Sequence, residues 1–181
     1  AGTVYATWRL PAGGTRAYDA CEIALEVLGG GQTSRLHREL VLRTRRASSA
    51  GASPIELVGG NSVGFAYARA LDDASLDALD EAVAEQVGRL AEEGPTEAEL
   101  ARVRVQFERH WLSDLARLDS RADLFGCYAT LYGDPGLVNT RIADFCSVSA
   151  EEVRDAARAW LRPEQRAVLS YRRETEEGTK R

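Results

Sequence analysis

The chain has 181 residues, a net charge of −5 and 44% hydrophobic residues. That length is one domain by the usual prior of ~100–200 residues, large enough to bury roughly 70% of its unfolded surface without staples. The acidic balance excludes the concentrated basic face of a nucleic-acid-binding domain, and no apolar run approaches the ~18–20 residues that span a bilayer.

Thr3–Leu10 (TVYATWRL) alternates apolar and polar residues and is rich in Val, Tyr, Thr and Trp, which predicts a strand ended by Pro11 and Gly13-Gly14. Asp19 is the expected cap of a helix through Ile23, Leu25, Val27 and Leu28 to the glycines at 29–31. Thr33 or Ser34 then caps a second helix, with Leu36, Leu40 and Val41 as its apolar stripe and arginines on the other side. Ala47–Val58 and Ser62–Leu71 read as paired strands joined by Gly59-Gly60-Asn61, and Val63, Phe65 and Tyr67 share one face of the second.

Asp72 to Glu93 carries Leu76, Leu79, Val83, Val87 and Leu90 at helical spacing, and Gly94-Pro95 breaks it. Thr96–Glu99 is a capping box that opens a long helix. Leu100, Val103, Phe107, Trp111, Leu115 and Leu118 form its stripe, which either runs on to Phe125 or yields to a separate helix capped at Asp119-Ser120. Pro135 opens a further helix through Ile142 and Phe145. A second capping box, Ser149–Glu152, starts one to Leu161, and Arg166–Tyr171 is a last strand. The order β, α, α, β, β, α, α, α, α, β predicts an α+β fold, an antiparallel sheet covered by helices on one face. A single domain over 1–173 and a polar tail over 174–181 are expected.

Cys21, Cys127 and Cys146 are odd in number and form no CxxC, which points to reduced, mostly buried thiols and a cytoplasmic protein rather than a disulfide framework or thiolate metal site. The chain has no charged-then-apolar signal segment at its start, begins with Ala1 and contains no methionine, so a piece of a longer polypeptide is expected.

Gly31–Leu40 has the form G-x-x-S-R-L-x-x-x-L and is followed by Leu42-Arg43 and a strand. The runs Gly88–Arg104 (GRLAEEGPTEAELARVR) and Ser147–Tyr171 (SVSAEEVRDAARAWLRPEQRAVLSY) follow at matching separations. Across nearly its whole length the sequence resembles the pitrilysin/insulysin-like zinc metallopeptidases. That resemblance implies one of several homologous α+β domains, in one polypeptide or paired subunits. One such domain carries an inverted zinc motif, H-x-x-E-H, whose two imidazoles and glutamate hold metal and activate water. Here only His37 and His110 are present, far apart and outside any such motif. The resemblance therefore implies the non-catalytic half, with no metal in this chain and zinc in a homologous partner domain or subunit.

In that family the metal-free half contributes an arginine and, seven residues on, a tyrosine, which reach the active site across the chamber. By resemblance they bind the substrate backbone and help stabilise charge at the scissile carbonyl, roles suited to guanidinium and phenol donors. Arg43 matches the arginine, and Arg46 also fits the local pattern. Seven residues beyond Arg43 stands Ala50, so either the second donor is absent or Tyr67 or another residue replaces it. Arg35, Arg38, Arg45 and Arg46 crowd the same stretch, and such a cluster is more often a solvated helix face.

Other motifs carry less. Gly29-Gly30-Gly31 follows a helix and lacks the lysine of a P-loop or the G-x-G-x-x-G of a dinucleotide site. Asp72-Asp73 and Glu92-Glu93 read as charges at helix ends, and Trp111 as core. The expected function is a zinc-free domain that helps bind an extended peptide, added as a strand to a sheet edge, opposite a zinc-bearing partner. The alternatives are a catalytically degenerate scaffold subunit and a stand-alone peptide-binding module.

Overall fold

The computed structural model describes residues 2–71 and 75–172, so Asp72, Asp73 and the tail 174–181 lie outside the described residues. Four strands, β1 (Thr3–Leu10), β2 (Ala47–Ile55), β3 (Ser62–Ala70) and β4 (Ala167–Tyr171), form one sheet in the order β2-β3-β1-β4. Every neighbouring pair is antiparallel; Tyr5 of β1 lies opposite Tyr67 on one side and Leu169 on the other. This is the α+β architecture expected from the strand and helix order.

Because strand side chains alternate, the sheet has two unlike faces. One buries Val4, Ala6, Trp8 and Leu10 of β1 with Ala66, Ala68 and Ala70 of β3. Helices α1 (Arg16–Gly29), α2 (Leu76–Glu93) and α6 (Ala150–Trp160) cover it. The alanines let the helices come close. At the end of α1 a Cβ on Gly29 would stand 1.7 Å from the Ala52 nitrogen, so only glycine fits there. Trp8 is buried, and its indole nitrogen donates to the Arg162 carbonyl at 2.9 Å, which ties the loop before β4 to the sheet.

Between α2 and α6 run α3 (Glu97–Ala116), α4 (Leu118–Leu131) and α5 (Arg141–Cys146). Both expected capping boxes are present, at Thr96/Glu99 and Ser149/Glu152. Phe107 of α3 stacks on Phe145 of α5, centroids 3.8 Å apart.

Several boundaries differ from the sequence reading. Thr15, not Asp19, caps α1: its hydroxyl accepts from the Tyr18 amide, which frees Asp19 to pair with Arg141. The described part of the helix expected from Asp72 starts at Leu76 behind Ser75. The long stripe breaks at Arg117, whose extended backbone ends α3; it also holds the cap position of α4, where a guanidinium has no acceptor to offer, and the expected cap Asp119 lies inside the first turn and pairs with Arg117. Leu118 is left 74% exposed. The helix expected from Pro135 is a 3-10 turn, Pro135–Asn139, followed by α5. Of the three free cysteines Cys21 is buried and the other two partly so.

Candidate functional site

The helix expected after the triple glycine is a π-helical segment, His37–Arg43. Its wide turn is closed by the Thr44 amide donating to the Glu39 carbonyl, five residues back, at 2.9 Å. The Thr44 hydroxyl donates to the same carbonyl. Ser34 caps nothing here; its hydroxyl donates to the Gly31 carbonyl. Leu36 and Leu40 bury one side of the segment. Arg45 then takes a left-handed φ of 51°, which turns the chain into β2 and lets the Arg46 amide reach the Leu40 carbonyl. Neither the π turn nor this left-handed arginine has a sequence signal, since no glycine or asparagine marks them. Single π turns recur at functional sites.

The segment forms one wall of a groove of about 520 Å³ with Arg38, Glu39, Leu42 and Arg43; Gln86, Arg89 and Glu93 of α2 form the other. Arg35 and Glu99 also line it, joined by two 2.8 Å hydrogen bonds, and Arg35 donates to the Gly94 carbonyl as well. That pair clamps the π segment to the start of α3.

Arg43 has a side chain 71% exposed, with its guanidinium forked onto Glu39 (Nε to Oε2 at 2.7 Å). These bonds hold the Glu39 carboxyl below its usual range and keep the arginine charged. Arg38 pairs with no described carboxylate, and Arg89 reaches Glu93 only at 3.9 Å. The groove therefore offers guanidinium donors, suited to carbonyl or carboxylate oxygens.

The structure separates the other sequence candidates. Arg46 is exposed beyond the π segment and does not line the groove. Ala50 is buried on the helix-covered face opposite Ala68, where no side chain reaches the groove. Tyr67 lies on the other face of the sheet, its ring 6.1 Å from Tyr5, and is not a groove residue. His37 is half-buried and His110 exposed on a different helix. Among the described residues no group of three or more His, Cys, Asp or Glu side chains is arranged to hold a metal ion, so these residues do not fit zinc.

A family model described as the peptidase M16 inactive domain matches residues 2–107. The chain belongs to the peptidase M16 inactive-domain family. Solved structures extend the likeness over the rest of the fold. The inactive peptidase domain of a candidate zinc protease from Bordetella parapertussis superposes with a TM-score of 0.87 at 20% identity, covering 99% of this chain and 95% of that one. A protease from Helicobacter pylori gives 0.84 at 22% identity over 93% of this chain, which spans 40% of the protease. A chain of complex III2 from Candida albicans gives 0.78 at 13% identity, covering 94% of this chain and 42% of that one. A comparison with curated proteins found no match.

Proposed function

We propose that this M16 inactive domain forms the metal-free wall of a peptidase chamber and holds extended peptide opposite a zinc-bearing partner domain or subunit. The observation that carries this reading is Arg43. It is an exposed, charged guanidinium at the end of a π turn, oriented by Glu39 at the mouth of an arginine-lined groove. Such a side chain donates to a peptide carbonyl or to developing negative charge at the scissile bond. Arg46 stands outside the groove and takes the lesser part, as a cation beside the substrate path. The outer edges of β2 and β4, unpaired among the described residues, suit strand addition by the peptide.

The test is Arg43→Ala in the assembled enzyme. The expected result is a fall in turnover on the order of 10-fold or more, as for loss of a transition-state donor, with the complex intact by size-exclusion chromatography. Unchanged turnover would sink the substrate role. A scaffold reading is favoured by one observation: Ala50 provides no phenol, and Tyr67 stands on the other face. On that reading Arg43→Ala leaves turnover unchanged, and only changes that loosen the fold matter.

A further inference from the structure

The arginine groove contains one polar side chain that nothing in the chain answers. Gln86 of α2 lines the groove and is only 5% exposed. Among the described residues its side-chain amide has no hydrogen-bond partner. That amide is not sealed off either: the buried side-chain atoms that are both sealed and unpartnered are Asp19 Oδ1 and Arg104 Nε. A side chain with so little free surface that still keeps its amide open presents that amide to the groove it lines. A primary amide carries two donors and an acceptor. Buried polar groups in native structures are nearly all paired, so an open, unpaired amide at this depth points to a ligand that completes it. Each unit of an extended peptide, with one C=O and one N–H, is the complement of such an amide.

The charges around Gln86 narrow the occupant. Four guanidinium groups and three carboxylates line the groove. Each carboxylate already faces a guanidinium: Glu99 pairs with Arg35, Glu39 with Arg43, and Glu93 stands 3.9 Å from Arg89. Arg38 is left over, exposed on the wall opposite Gln86. A guanidinium with no carboxylate of its own is matched by one from a ligand, through two parallel N–H donors. The chain as a whole has a net charge of −5, which disfavours acidic peptides at a distance. Any preference for them therefore has to come from contacts inside the groove.

We propose that the groove selects an acidic residue of the peptide. Gln86 pairs with a main-chain peptide unit, and Arg38 across the groove takes the carboxylate of the glutamate or aspartate side chain. This rests on the reading of the groove as a peptide site and adds the substrate class. Gln86 and Arg38 are then specificity-determining residues beside Arg43, and neither is asked to touch the reacting atoms.

Titration of the isotope-labelled 181-residue chain with the peptides acetyl-AAEAA-amide, acetyl-AAQAA-amide and acetyl-AAKAA-amide tests this. NMR follows the side-chain amide of Gln86 and the Nε–H signals of the arginines. The glutamate peptide should shift the Gln86 amide saturably and bind about three- to fivefold tighter than its glutamine isostere, the scale of one exposed ion pair. The lysine peptide should bind more weakly than either. Arg38→Gln, at an exposed position, should erase the preference for glutamate over glutamine. Gln86→Leu, close in size, should instead weaken both of those peptides alike. Equal binding of the glutamate and glutamine peptides, both weakened by Gln86→Leu, would overturn the acidic selection and leave the peptide-holding reading standing. A glutamate preference that survives Arg38→Gln would overturn the assignment to Arg38. No saturable shift of the Gln86 amide with any peptide would overturn the proposal, while turnover of Arg43→Ala in the assembled enzyme decides the peptidase reading separately.

Discussion

The two faces of the sheet are cut from the same alternating strands and meet opposite fates. The covered face is alanine-rich, and helices press onto its backbone. The other carries Tyr5, Val63, Phe65, Tyr67, Leu169 and Tyr171, a large apolar surface with a concavity of about 650 Å³. No described helix lies over it, and Leu169 and Tyr171 are exposed. Small residues allow close packing of elements within the chain. Large aromatic residues on an uncovered face enlarge the area that another body could bury. Stability in this domain thus rests on the face without aromatic bulk, apart from Trp8.

The largest expected contrast comes from leucines. Leu28 of α1 is 0% exposed. Leu28→Ala should cost about 2–5 kcal/mol in urea unfolding. A loss below ~1 kcal/mol would mean that the helical layer is looser than its packing implies. Next comes overpacking. Ala66 sits fully buried beneath the helices, and Ala66→Leu should cost about 1–3 kcal/mol by forcing them off the sheet. Its neighbour in the sheet, Phe65, points to the open side, where Phe65→Leu should cost less, which sharpens the same comparison.

Much of this division was legible in the sequence. Period-two patterning marks β1 and β3, capping boxes mark the starts of α3 and α6, and the alternation that puts Val63, Phe65 and Tyr67 on one face is the one the sheet shows. What was not legible depended on tertiary partners. Asp19 reads as a cap because its type favours caps, yet Arg141, 122 residues away, draws it into an ion pair. The π turn depends on how Leu36 and Leu40 pack, and the left-handed Arg45 breaks the usual preference for glycine or asparagine. Arg43 was nominated by resemblance, and the structure puts it in a groove; Arg46, three residues on, is carried outside that groove by the Arg45 turn.

The helical layer also holds a titratable group, Glu22, half-buried between α1 and α3. Burial pushes the Glu22 carboxyl up to about 8, against the pull of Arg141. The folded state therefore holds a proton that the unfolded chain releases near pH 4.5. Stability from this group is fully present below that pH and is lost as pH rises toward 8. Thermal melts between pH 5 and 8 should show the decline, and Glu22→Gln should flatten it; parallel curves for the two proteins would contradict the link.

The smallest effect belongs to the open face. Leu169 is 54% exposed on an edge strand. Leu169→Ser should leave the unfolding free energy of the isolated chain within about 0.5 kcal/mol, as for other exposed positions. The same change removes apolar area from the concavity, so binding of a hydrophobic dye to the native chain should fall. The two readouts separate the faces. A core position loses stability and gains dye binding as the fold loosens, whereas Leu169 should lose dye binding at constant stability. If Leu169→Ser instead destabilised the chain by 2 kcal/mol or more, β4 would be packed as the covered face is, and the contrast between the faces would fail at the strand where it is drawn most sharply.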